Sequence, residues 1–246
     1  MSQRATSGGR ATKQTRRRGV KSNRVTTRVR KPSPKAAELQ KQLSVALREL
    51  AASSEVLKII SSSPGQLAPV FQAILKHAIR ICDAKFGHLV LMAGNRFFVA
   101  AEANMPPELA EFFRRQGPFE PTPGSHLDRV RKTKRVSFTA DDTEEAVQGA
   151  ASRYGGARSI VAVPMLKNDA LVGAILIYRQ QVRRFTDRQI ELLQTFADQA
   201  VIAIDNARLF AEVQTRTGEL TESLLQQTAT SEVLEIISSS PDDLAA

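Results

Sequence analysis

Three histidines, one cysteine and one glycine-flanked arginine are the side chains of this sequence best suited to chemistry. His77, His88 and His126 show no i, i+4 pairing and no HExxH spacing, so the usual zinc-hydrolase arrangement is missing. His77 falls on the polar side of a predicted helix and reads as a solvated surface residue. His88 alternates within a predicted strand and reads as structural. His126, with Asp128 two residues on, stands at a loop–helix junction, where an imidazole can bond a ligand. Cys82 closes the apolar stripe of a helix and behaves there as a small hydrophobe. A single cysteine excludes an intrachain disulfide and any multi-cysteine zinc site. In Tyr154-Gly155-Gly156-Ala157-Arg158 the glycines allow close backbone approach, and Arg158 could meet an anionic ligand. The alternative places Arg158 on the surface at the start of a strand. Neither GxxxxGKS nor GxGxxG occurs, so no phosphate-cradling loop is encoded.

These residues need elements to hold them. Leu43, Leu47, Leu50 and Leu57 follow a heptad within residues 36–63, and Ser61-Ser62-Ser63-Pro64-Gly65 stops that helix. Val70, Phe71, Ile74, Leu75, Ala78, Ile81 and Cys82 form the stripe of a second helix. Residues 86–92 and 96–103 read as strands joined by a tight turn at Ala93-Gly94-Asn95. A short helix is expected within 106–117, a loop over 118–124, a helix over 125–133 and a short strand at 135–139. Residues 158–166 and 170–178 are apolar on both faces, as central strands are, and flank Lys167-Asn168-Asp169. Pro164 lacks a donor and should mark a bulge or an edge-facing position. Thr186 with Gln189 forms a capping box, and Phe185 with Ile190 a hydrophobic staple, for a final long helix. That helix runs on through Phe210, Val213, Thr217, Leu220, Leu224, Gln227 and Leu234, again spaced by heptads.

Charge is distributed unevenly. The net charge is +10, yet residues 1–35 hold twelve Lys and Arg and no acid, leaving 23 basic against 25 acidic residues in the remainder. The first 35 residues carry too little apolar surface to offset the entropy of ordering and are expected to be disordered. Such a tail can contact nucleic acid or an anionic surface through phosphates, weakly and without sequence information. With no aromatic before Phe71, it offers no stacking platform for single strands. No apolar run reaches the ~18–20 residues of a transmembrane helix, and a cytoplasmic location is expected.

Fifteen residues occur twice, at 54–68 and 231–245, with only three differences. The copies lie a whole domain apart and read as the entrance to a module, met once in full and once as the sequence stops. The expected organisation is therefore a basic tail at 1–35, a heptad helix at 36–63, a domain at 64–208, a heptad connector at 209–240 and the start of a second module at 241–246.

The order helix–hairpin–helix–strand–hairpin–helix resembles a GAF domain. Gly156-Ala-Arg-Ser-Ile-Val-Ala-Val-Pro164, Leu171-Val-Gly-Ala-Ile175 and the stretch from Arg184 to Phe210 resemble the second half of GAF domains in bacterial sensor histidine kinases and related cyclases. Residues 226–234 resemble the connector between successive modules in such proteins. The resemblance implies an α+β fold with a six-stranded antiparallel sheet, flanking helices and an interior pocket, acting as a sensory input in two-component signalling. It puts Phe98, His126, Phe138, Tyr154 and Arg158 forward as pocket residues. No cofactor is implied beyond an unidentified small molecule, and no metal. The Cys-His pair of bilin-binding members is missing, the Asn-Lys-Phe-Asp-Glu set of cyclic-nucleotide members is matched only in fragments, and methionine sulfoxide reductases of this family recycle through more than one cysteine. A phosphoacceptor histidine and an ATP lid are missing too, so no kinase activity is expected. The polar interruptions of both heptad seams, among them Gln40, Ser54, Thr217 and Gln227, suit a parallel homodimer that shifts between packings.

Overall fold

In a computed structural model of the chain, residues 65–239 are described, together with Ser54. The expectations for the tail at 1–35, for the leading heptad helix apart from Ser54, and for residues 241–246 lie outside the described residues.

Helix α1 (Leu67–Ile81) leads into a hairpin of β1 (Phe86–Ala93) and β2 (Arg96–Ala103). Gly94, at φ +60°, supplies the positive φ of the intervening turn. Two helices follow, α2 (Pro107–Gln116) and α3 (His126–Thr133), then β3 (Ser137–Thr139), a single 3-10 turn (Asp142–Glu144) and the short α4 (Ala150–Gly155). The second hairpin joins β4 (Ser159–Lys167) to β5 (Ala170–Arg179) through Asn168 and Asp169, both at positive φ as a type I′ turn requires. Helix α5 (Asp187–Ser239) closes the described chain. Its start is the expected capping box: the Thr186 N–H donates to Gln189 Oε1 at 3.1 Å, and the Gln189 N–H to Thr186 Oγ1 at 3.2 Å.

The strands form one antiparallel sheet in the order β2-β1-β5-β4-β3. It has five strands rather than the six expected. Where another strand would extend the β2 edge, Phe119 makes only an isolated bridge to Phe97. Pro118, Pro121 and Pro123 around it lack the donors that a continuing ladder needs. Pro164 takes the edge-facing position, keeping Ala174 as its partner, and the bulge falls just beyond it. β3 pairs only with residues 160–162 of β4, so beyond them β4 is an edge, and the register shifts at Met165/Leu166.

Strand alternation sends Leu89, Val161, Val163, Ile175 and Ile177 to one face of the sheet, under α1 and the first turns of α5. Phe86, Val90, Ile160, Ala162, Leu176 and Tyr178 face the opposite way, under α2, α3 and α4. Two apolar layers therefore sandwich the sheet. α1 packs against β1, β2 and its neighbour α5, and on it one expectation is overturned. His77 is buried instead of solvated, with its Nδ1 2.9 Å from the Arg80 guanidinium.

α5 changes character along its length. Leu193, Phe196, Ala197 and Ala200 are core residues, whereas from Arg208 to Glu232 every side chain is exposed. Among them are Leu209, Phe210, Val213, Leu220, Leu224 and Leu225. At 1.5 Å per residue the helix is about 80 Å long, and it passes Gly218 without a break.

Candidate functional site

The face of the sheet beneath α2, α3 and α4 is not completely filled. A cavity of about 90 Å³ opens there, walled by His88 from β1, Leu176 and Tyr178 from β5, Ile160 from β4, Phe112 and Phe113 from α2, and the 119–127 segment. His88 and Leu176 are cross-strand partners, and alternation puts Tyr178 beside them. The His88 ring lies edge-on to Phe113 at 5.2 Å and stacks with Tyr178 at 5.4 Å, while Tyr178 also stacks on Phe86 at 4.8 Å. Neither polar ring is readily ionised. Burial holds the His88 imidazole down at about 3. Burial, with the nearby Asp142 charge, pushes the Tyr178 phenol well above its ordinary value.

His126 enters from the first residue of α3. The Ser125 hydroxyl caps that helix by accepting from the Asp128 N–H, and the cap fixes the direction in which His126 leaves the backbone. Its Nδ1 is 2.8 Å from Ser137 Oγ, and its Nε2 is 3.2 Å from Asp142 Oδ1, without hydrogen-bond alignment in the latter case. Asp142 is fully buried and also accepts from the Ser152 hydroxyl. Ser137, Asp142 and Ser152 thus link β3, the 3-10 turn and α4 behind the imidazole. Asp128 turns away from the cavity to accept from the Gly124 N–H at 2.8 Å and from Arg131 and Lys132. Burial works against its charge, but these partners together outweigh it and bring the carboxyl down to about 2.

Of the five pocket residues put forward from sequence, the structure sets only His126 in the wall of this cavity. Phe98 is 36% exposed and lines a shallow outer groove with Gln72 and Glu102. Phe138 is 39% exposed, with the Arg184 guanidinium 5.6 Å from its ring centre. Tyr154 stacks on Phe112 at 4.6 Å but from the solvent side, at 41% exposure. Arg158 faces Asp141, its Nε donating to Oδ1 at 2.9 Å, and this bond foremost holds the Asp141 carboxyl below the usual carboxylate range. The paired guanidinium leaves Arg158 engaged at the surface. His88, Tyr178, Ser137 and Asp142 were not proposed for the site. Alternation along 86–90 and 174–178 carries the signal for the first two, once those strands are placed side by side.

Cys82 lies across the sheet from the cavity, in the layer of α1 and α5, and burial pushes its thiol up to about 12. Among the described residues no group of three or more His, Cys, Asp and Glu is arranged to hold a metal ion. No described helix is long and apolar enough to cross a membrane.

One residue joins the cavity wall to the long helix. Next to Tyr178, Arg179 points to the opposite side of the sheet and is buried. Its guanidinium donates to the carbonyls of Cys82 (3.1 Å), Arg183 (2.6 Å) and Arg184 (3.0 Å) and to Gln189 Oε1 (3.1 Å), and sits 4.1 Å from the Phe185 ring centre. Gln189 in turn donates to the Ile81 carbonyl. The end of α1, the end of β5 and the start of α5 share this one cation.

The buried neutral His88 sets a pH response. In the unfolded chain a histidine titrates near ~6.5, so between that value and about 3 only the unfolded state gains the proton. Stability is expected to fall with acidification over this window, by at most about 1.4 kcal/mol per pH unit for this proton. Thermal melts from pH 7 to 4 should show a steeper loss for the natural chain than for His88→Phe. Parallel slopes would refute the assignment.

An antiparallel sheet with helices on both faces and a walled cavity under three of them defines an α+β domain built around a small-molecule-sized pocket. Residues 66–205, more than half of the chain, match the family described as GAF domain, and the chain belongs to that family. No curated protein matches the chain. Its fold is similar to that of the GAF domain of a phosphoenolpyruvate-protein phosphotransferase from Coxiella burnetii, with a TM-score of 0.58, 13% identity, and coverage of 68% of this chain and 98% of that one. It is likewise similar to free methionine-R-sulfoxide reductase from Neisseria meningitidis (TM-score 0.55, 10% identity, 68% and 93% covered). A putative GAF sensor protein from Burkholderia vietnamiensis gives a TM-score of 0.53 at 15% identity, covering 67% and 98%. At these identities the likeness is one of fold.

Proposed function

We propose that this chain is the sensory input of a cytoplasmic signal-transduction protein, of the kind found in multi-GAF sensor histidine kinases. In this reading its cavity takes a small molecule, and α5 carries the resulting change toward an output domain as part of a parallel homodimer. The observation that supports it is the continuity of α5. One uninterrupted helix supplies core side chains at Phe196 and Ala200 and exposed apolar side chains at Val213, Leu220 and Leu224. A lone helix gains nothing by holding leucines in water, whereas two such helices side by side bury them along a heptad seam. Polar Thr217 and Gln227 within the seam keep the pairing from locking, so alternative packings remain within a few kcal/mol. Ser137 Oγ lies 2.8 Å from His126 Nδ1 but stands behind the imidazole and does not line the cavity, so the hydroxyl is not presented to a bound molecule, which favours a binding module over an enzyme.

Leu220→Lys with Leu224→Lys is expected to convert a dimer into a monomer in sedimentation velocity while the domain keeps its melting transition. The unaltered chain sedimenting as a monomer at high micromolar concentration would contradict the proposal.

A further inference from the structure

We propose that the cavity accepts an uncharged, single-ring aromatic compound bearing one hydrogen-bonding group, of the phenol kind, whose polar atom pairs with His88. This rests on the reading of the cavity as the sensory input and narrows the class of molecule it admits.

Size sets the first limit. An apolar protein cavity of ~150 Å³ holds benzene, so one of about 90 Å³ with an open side takes a single ring at most. A nucleotide or a tetrapyrrole is far too large. Charge sets the second. Among the described residues no Lys or Arg lines the cavity, the carboxylate of Glu120 stands at its exposed rim, and Asp142 lies behind His126. A phosphate or carboxylate ligand would enter without a counter-charge and face two acids, at the desolvation cost that an unpaired buried ion carries.

The interior polar group selects what remains. His88 is 2% exposed, lines the cavity, and its Nδ1 has no hydrogen-bond partner among the described residues. An orphaned buried nitrogen is destabilising, and a ligand that supplies the missing partner relieves it. The imidazole stays neutral, because burial holds it down at about 3. It therefore offers one donor and one acceptor nitrogen, and a hydroxyl can serve either. Phe113 edge-on and Tyr178 in stacking contact surround it, and Phe112 and Phe119 complete an aromatic wall. Such a wall favours an aromatic ring over an aliphatic chain of equal volume through edge-to-face and offset contacts.

The test is a titration of the full chain with phenol, benzene, benzoate and cyclic GMP, followed by calorimetry and by the methyl resonances of Ile160 and Leu176. Phenol should shift those methyls saturably and bind at least tenfold more tightly than benzene, with the gap closing to within twofold in His88→Phe. Ala150→Leu, at the half-buried rim of the cavity, should abolish phenol binding and leave the melting temperature unchanged, and it serves if His88→Phe does not fold. Benzoate or cyclic GMP shifting the same methyls would overturn the ligand class while leaving a sensory pocket in place. Equal affinity for phenol and benzene, or an undiminished gap in His88→Phe, would overturn the role of His88. Binding of none of the four would overturn this assignment alone, the sensory reading being decided separately by the sedimentation test of the dimer.

Discussion

Arg179→Met is expected to cost about 3–5 kcal/mol, because it leaves several buried acceptors without a donor at about 1–3 kcal/mol each. A domain of this size is stable by only about 5–15 kcal/mol, so the variant should unfold at a markedly lower denaturant concentration. The guanidinium satisfies the carbonyls of Cys82, Arg183 and Arg184 together with Gln189 Oε1, and methionine offers none of them a donor. Arg179→Lys should restore little, since one compact ammonium cannot reach four acceptors spread around a planar fork. The same change should loosen the first turns of α5, read as faster amide exchange near Gln189 and Ile190. A midpoint within ~1 kcal/mol of the natural chain would show that the carbonyls find other donors and that Arg179 is dispensable.

Gly173→Ala should be comparably damaging for a different reason. Gly173 sits in β5 between Leu91 of β1 and Met165 of β4, next to the register shift of the β4–β5 hairpin. A methyl group there would lie 2.3 Å from the Val90 carbonyl oxygen. That oxygen belongs to the backbone of a central strand and cannot swing aside as a side chain can. Relief requires separating β1 from β5 and weakening their ladder, and overpacking of this kind costs roughly 1–3 kcal/mol, more where backbone must move. Urea unfolding of the variant checks this, and an unchanged midpoint would mean that the sheet relaxes freely at this point.

Local signals in the sequence were enough for most of the fold. Thr186 and Gln189 announce α5 because a capping box is a contact between residues three apart, and Asn168-Asp169 announces the β4–β5 turn because few residues tolerate positive φ. The misses have two causes, shortness of an element and dependence on distant partners. α4 is six residues long, too short for a periodic pattern to emerge from Ala150 to Gly155. His77 reads as solvated from its own helix alone, yet it is buried on a helix that packs against β1, β2 and α5, partners distant in sequence. The site suffered most. Phe98, Phe138, Tyr154 and Arg158 lie in segments near the cavity but turn outward, and their direction depends on strand register and helix rotation that composition does not encode. Asp142 and Ser137 reach His126 from loop and strand positions whose approach only the folded chain defines.

In the proposed relay, the abrupt change along α5 makes that helix a lever arm. Lys167 at the end of β4 pairs with Asp205, close to where the helix leaves the domain, and this ion pair stands at the fulcrum. From Asp205 to Ser239 the arm is about 50 Å long at 1.5 Å per residue. A tilt of about 5° at the base, well inside the scatter of ordinary helix packing, sweeps its far end through about 4 Å. That displacement approaches the 5.4 Å pitch of one helical turn. A change too small to disturb a single core contact around Phe196 is thereby magnified to the scale on which neighbouring heptad residues exchange places.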